Sequence, residues 1–138
     1  RRYAMNKVSS SHEDYLEAMV MLGASTKQSV RPVDVASKMG VSKASVNKAI
    51  SVLREKGYLN QPYYGDITLT QKGEDYGRKV LERHKVLTAF LHDVLGIDAK
   101  TAEEEACMME HAISDESFEK WMEYVYKICP AGKLASAE

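Results

Sequence analysis

RPVDVASKMGVSKASVNKAISVLREKG, residues 31–57, is the stretch whose reading decides the fold. Pro32 suits the first turn of a helix, and Gly40 ends that helix after only two turns. Ser42 then serves as N-cap for a second helix over 43–56, whose Val46, Ile50 and Leu53 line one apolar face until Gly57 stops it. Two short helices meeting across a turn at Gly40 form a helix-turn-helix pattern.

Working outward, SHEDYLEAMVML at 11–22 spaces Tyr15, Met19 and Leu22 by four and three, which predicts a preceding helix ending near 23–25. On the other side, residues 58–70 alternate, carry aromatics and a Gly65-Asp66 turn signal, and read as a small two-stranded hairpin. Thr70 caps a long helix from 71 to about 95, with Val80, His84, Leu87, Leu91 and Val94 on one face and Gly96 as its stop. Two more helices follow over 98–113 and 115–129, the last amphipathic through Phe118, Trp121, Met122, Val125 and Ile128. This order predicts a mainly α chain: a winged helix-turn-helix domain with a small β-hairpin wing at 11–73, then a helical domain at 74–130. Residues 1–10 and 131–138 are expected to be tails.

A chain of 138 residues with 44% hydrophobic content can bury a core, which excludes a disordered or repeat-array reading. Its 19 basic and 20 acidic residues give no global attraction to nucleic acid or membrane. The charge is nevertheless divided. Residues 31–60 hold six basic side chains against two acidic (net +4), whereas 98–124 hold two basic against nine acidic (net −7). No apolar run approaches a membrane span, so a soluble, cytoplasmic protein is expected. Two cysteines, Cys107 and Cys129, make no disulfide framework and point to metal binding or packing.

In a helix-turn-helix the second helix enters the major groove by its N-terminal end. Ser42, Lys43, Ser45, Asn47 and Lys48 stand there, with Asn47 suited to adenine and Lys48 to guanine; Tyr64 at the hairpin tip sits over a neighbouring backbone, and Arg31 of the same basic stretch is a further DNA-binding candidate. The alternative is a basic face that is merely solvated, on a module for protein contacts. In the acidic half, Cys107, Glu110 and His111 at i, i+3 and i+4 place a thiol, a carboxylate and an imidazole on one helical face. Asp14 and Glu17 do the same on the first helix, and His84 interrupts the apolar face of the long one, as a core histidine or as a ligand. A zinc hydrolase is the rival from another class, disfavoured because these helices offer no oxyanion-stabilising loop.

HEDYLEAMVML at 12–22, LERHKVLTAFL at 81–91 and EEEACMMEHAIS at 103–114 resemble the metal-dependent repressors related to diphtheria toxin repressor and the manganese transport regulator. The resemblance covers residues 11–128 and implies a homodimeric regulator of metal-ion homeostasis, not an enzyme. It binds a palindromic operator on double-stranded DNA when a divalent metal is held between its two domains, and takes no small-molecule substrate and no membrane partner. The implied metal ligands are Asp14, Glu17, His84, Cys107, Glu110 and His111, with two ions per chain; the implied DNA-reading end includes Ser42, Ala44, Ser45 and Lys48. The iron-responsive branch has Cys at position 107 but Met at 14, and the manganese-responsive branch has Asp at 14 but Glu at 107, so this chain is a hybrid. It carries Thr88 and Glu103 at two ancillary positions of the iron branch. One soft thiolate favours Fe(II), with Mn(II) next and Co(II) or Zn(II) as in vitro binders. The dimer surface is expected on the apolar side of the last two helices, around Trp121 and Met122. A winged-helix regulator indifferent to metal remains the alternative.

Overall fold

The computed structural model describes residues 9–62 and 65–128, and its chain divides between Leu81 and Glu82 into two compact units. In the first, α1 (Ser10–Met21) starts at Ser9, whose Oγ accepts from the His12 N–H at 3.2 Å. Tyr15, Leu16 and Met19 are its buried face. α2 (Pro32–Met39) has Pro32 at its first position and ends at Gly40, whose left-handed φ of 67° lets the Val41 N–H turn back to the Ala36 carbonyl at 3.1 Å. α3 (Lys43–Glu55) is capped by Ser42, which accepts from the Ser45 N–H at 3.1 Å, and buries Val46, Ala49, Ile50 and Leu53.

The hairpin is shorter than its alternation suggests. β1 (Leu59–Asn60) pairs antiparallel with β2 (Thr68–Leu69), Leu59 opposite Leu69 and Asn60 opposite Thr68. A further bridge joins Val30 to Ile67, with both backbone hydrogen bonds at 2.8–2.9 Å, so the segment before α2 supplies a third rung that local pattern does not reveal. One core unites Leu16, Met19, Val35, Val46, Ile50, Leu53, Leu59, Ile67 and Leu69. Burying each such side chain contributes about 1.5–3 kcal/mol, which holds α3 by its inner face and leaves its outer face to solvent.

The helical stretch expected from 71 to about 95 is present, but only its first part, α4 (Gln71–Ala89), is α-helical. It gives way to a π-helical turn at Phe90–Val94, closed by the Leu95 N–H bonding the Phe90 carbonyl at 3.1 Å, before Gly96 at φ 77°. The wider turn keeps Leu91 buried and sets Phe90 edge-on to Trp121 at 5.1 Å, while Val94, expected on the apolar face, is exposed. α5 (Ala99–Met109) is capped by Asp98, whose carboxyl stays below the usual range through its bonds from Thr101. α6 is Asp115–Ile128. The second core joins Val86, Leu87, Leu91, Ala102, Ala106 and Phe118, with Trp121 and Met122 packed against it. Trp121 and Met122 are only partly buried there, and the large exposed apolar groups of α6 among the described residues are Tyr124 and Tyr126. No helix among the described residues is long and apolar enough to cross a membrane.

Candidate metal centre and nucleic-acid interface

The anchored inner face of α3 leaves Ser42, Lys43, Ala44, Ser45, Asn47 and Lys48 all exposed. Ala44, Asn47, Lys48 and Ser51 form one outward stripe at i, i+3, i+4 and i+7; Ser51 is the member that sequence reasoning missed, though the helical period contains it. Ser42 and Ser45 are engaged locally, the Ser42 hydroxyl donating to the Ser45 Oγ at 3.0 Å. Arg31 is exposed but grips Asp34 through Nε and Nη2 at 2.9 and 3.0 Å. That pair raises the arginine's affinity for its proton and holds the Asp34 carboxyl below the usual range. Tyr64 lies outside the described residues.

His84 comes from α4, Cys107 from α5, and Glu110 and His111 from the turn after it. α5 ends at Met109, short of the 113 expected, but Glu110 as its C-cap keeps helical dihedrals and bonds the Ala106 carbonyl at 3.0 Å, so Cys107 and Glu110 retain their i, i+3 relation and His111 is the first ligand candidate past the helix. The Arg83 guanidinium satisfies that end, its Nη1 donating to the Glu110 carbonyl at 3.2 Å, a carbonyl that a continuing helix would use itself. The three still converge: one ligating atom from each of Cys107, Glu110 and His111 lies within 4.8 Å of the others. His84 Nδ1 stands 3.3 Å from Glu110 Oε1, and His84 Nε2 is 3.9 Å from Glu103.

Glu110 sits at the centre of this cluster. Its side chain has no exposure, and its Oε2 has no hydrogen-bond partner. A buried carboxylate oxygen left without a proton donor is costly unless a cation takes its charge. With imidazole nitrogens and a sulfur around it, the donor set fits a divalent transition ion. A cavity of about 610 Å³, lined by His84, Lys100, Glu103, Glu104, Cys107 and Met108, has two of the cluster's donors, His84 and Cys107, in its wall.

On α1, Asp14 is half-buried and Glu17 buried, three residues apart. The third acid there, Glu13, is also buried, but within its own unit it accepts the Tyr76 hydroxyl at 2.6 Å, a structural use that separates it from its neighbours.

The fold and this site define a DNA-binding regulator with a winged helix-turn-helix and a helical unit bearing a metal-type donor cluster. Residues 7–66 match the family described as iron dependent repressor, N-terminal DNA binding domain, and residues 70–134 match its metal binding and dimerisation domain. The chain belongs to the iron-dependent repressor family, a family of metal-dependent transcriptional regulators and not of enzymes. It is 40% identical over 114 residues to an uncharacterised HTH-type transcriptional regulator of Methanocaldococcus jannaschii, covering 82% of this chain and 90% of that one. The HTH-type transcriptional regulator MntR of Lysinibacillus sphaericus is 34% identical over 110 residues, covering 80% and 78%. Among solved structures, a manganese-dependent transcriptional repressor in complex with manganese matches with TM-score 0.68 and 28% identity over 79% of this chain. ScaR with bound Zn2+ matches with TM-score 0.68 and 25% identity over 83%. This chain spans 50% and 53% of the length of those two.

Proposed function

We propose that this chain is a cytoplasmic, homodimeric repressor of metal-homeostasis genes that binds a palindromic operator when loaded with Fe(II), or next with Mn(II). The observation that carries the metal half is the fully buried Glu110 carboxylate with an unpartnered oxygen beside Cys107, His84 and His111. By resemblance, Asp14 and Glu17 complete the ligand set, and two ions bind per chain. The metal supplies positive charge among these acids and a bond between helices. Since Asp14 and Glu17 belong to α1 and the other four to residues 82–128, shared ligation restricts one domain, 11–73, against the other, 74–130. In a two-fold dimer that restriction sets the spacing of the two α3 helices to one helical turn of DNA. α3 then reads bases through Ala44, Asn47 and Lys48, with Ser42, Lys43, Ser45, Arg31 and Tyr64 on the phosphates.

Manganese appears in the description of one relative and zinc in that of another. For this chain the Cys107 thiolate tilts the choice towards Fe(II). An anaerobic Co(II) titration tests the reading. A cobalt–thiolate charge-transfer band is expected in the native protein, saturating at two ions per chain and missing in Cys107→Ser. Operator affinity is expected to fall at least about tenfold when chelator removes the metal. Cobalt binding without the band would take sulfur out of the site and move the preference to Mn(II); operator binding indifferent to chelator would favour the metal-independent regulator. Because ligation needs the thiol and imidazoles deprotonated, affinity is also expected to fall as pH drops.

The Arg31–Asp34 pair adds a second expectation. Asp34 competes with phosphate for the Arg31 fork, so Asp34→Asn should strengthen binding to non-specific DNA and steepen its log–log salt dependence by about 0.9 per arginine released. Anisotropy titrations across a salt series check this; an unchanged slope would remove Arg31 from the interface.

A further inference from the structure

Arg83 is the least expected group in the second unit. Its side chain is only 5% exposed, although it is an arginine on α4, one residue before His84. The nearby buried carboxylate of Glu110 is an available acidic partner, yet the guanidinium turns to that residue's backbone carbonyl, through Nη1 at 3.2 Å. Nη2 pairs with Asp115 at the start of α6, and the guanidinium carbon sits 5.0 Å from the centre of the Phe118 ring. Nε has no protein partner.

This arrangement addresses a problem posed by the end of α5. Up to Met109 the helix holds its side chains in register, and Glu110, its C-cap, still bonds the Ala106 carbonyl through its own N–H at 3.0 Å, but the Glu110 carbonyl and His111 lie past the last helical bond. Carbonyls there have no helical donor, and the turn they form would be free to shift. Arg83 supplies the donor at Glu110 and ties the same point to Asp115 and Phe118, which open the next helix. Its charge is met by Asp115, so the Glu110 carboxylate is left for another cation. The two bonds come from separate nitrogens held apart in a rigid plane, whereas a lysine ammonium donates from one nitrogen and cannot reproduce that spacing.

We propose that Arg83 is a positioning residue for the metal centre: by clamping the Glu110 carbonyl to α6 it fixes where the Glu110 and His111 ligands stand, without itself touching the ion. This rests on the metal reading given above. The test measures Co(II) affinity, by competition with a chelator, together with the charge-transfer spectrum and the melting point of the metal-free protein. The proteins compared are the wild type, Arg83→Met, Arg83→Lys and Val125→Ala, the last a core truncation in α6 far in chemistry from any ligand. Arg83→Met is expected to lose about ten- to a hundredfold in affinity, as partners behind a metal's direct ligands do, with an altered cobalt band. Arg83→Lys, which keeps the charge for Asp115 but not the fork, should fall between it and the wild type, and carries the comparison if Arg83→Met does not fold. Val125→Ala should lower the metal-free melting point while binding cobalt within about threefold of the wild type. Wild-type affinity in both Arg83 variants would overturn the proposal, as would an equal loss in Val125→Ala. Absence of cobalt binding in the wild type would be seen before any variant is compared, and would overturn the metal reading and this inference together.

Discussion

Replacing Gly73 with alanine is expected to lower the melting point of the first unit by roughly 12–24 °C, the consequence of a loss of about 3 kcal/mol in a unit of this size. Gly73 is buried in the first turn of α4, and a Cβ there would lie 1.8 Å from the Tyr58 carbonyl oxygen and 2.7 Å from its carbon. The obstacle is backbone, so no side chain can rotate away. Nor can the carbonyl retreat cheaply: it accepts the Thr70 N–H at 3.1 Å, and the Tyr58 N–H is held by Leu53 at 2.9 Å. Thr70 is further tied to the Gly57 carbonyl at 2.6 Å, so a shift would disturb the end of α3, the start of β1 and the cap of α4 together. One turn on, a Cβ at Gly77 would meet Val20 Cγ2 at 2.6 Å and the Leu16 carbonyl at 2.9 Å, so α4 also approaches α1 closely, though less so than it does Tyr58. Gly40→Ala is the informative control. A Cβ there meets nothing within 4 Å, and the left-handed φ alone costs about 1–2 kcal/mol. Thermal unfolding followed by circular dichroism would separate them, and a Gly73→Ala melting point no lower than that of Gly40→Ala would show that the backbone at Tyr58 yields to the added methyl group.

That contrast shows which parts of the fold were open to reading. α2 and α3 could be placed almost to the residue, because Pro32, Gly40, Ser42 and Gly57 act locally: each sets a dihedral or a cap that does not depend on the rest of the chain. Features made by distant contacts escaped. The Val30–Ile67 bridge joins residues 37 apart, the glycines at 73 and 77 look like ordinary helix weaknesses until α1 and Tyr58 lie against them, and no Gly or Pro marks the end of α5 at Met109. The edge-on contact of Trp121 with Phe90 also escaped, because it depends on the π-helical turn that places Phe90. The donor cluster followed the same division. The chemical types and spacing of Cys107, Glu110, His111 and His84 stand in the sequence, whereas Arg83, which satisfies the Glu110 carbonyl at the end of α5, looks there like any solvated charge. Arg31 likewise counts as a basic group in a tally of charge but is engaged by Asp34.

Glu110→Gln is expected to abolish metal binding and, in the same protein, to raise the stability of the metal-free form. The two effects have one cause. Glu110 places a carboxylate in the interior with no exposure and leaves one oxygen without a donor, which costs the metal-free fold free energy. Glutamine keeps the size and shape, removes the charge, and brings an amide N–H that can donate towards His84 Nδ1, the neighbour of Oε1 at 3.3 Å. A gain of about 1 kcal/mol in a unit of this size moves the melting point up by roughly 4–8 °C. Metal reverses the order. An ion bound a hundredfold above its dissociation constant stabilises the wild type by about 2.7 kcal/mol, whereas the variant has lost the one ligand buried at the centre of the cluster and gains nothing. Melting curves of both proteins with and without Co(II) should therefore cross: the variant higher without metal, the wild type higher with it. A merely structural glutamate predicts something different, a variant that is destabilised in both conditions and still shifts upward with cobalt. The crossing matters for function because a regulator that must sense metal has to be less settled without it. The strain at Glu110 is what gives the ion a differential affinity for the ordered state, and a chain relieved of that strain would have nothing left to switch.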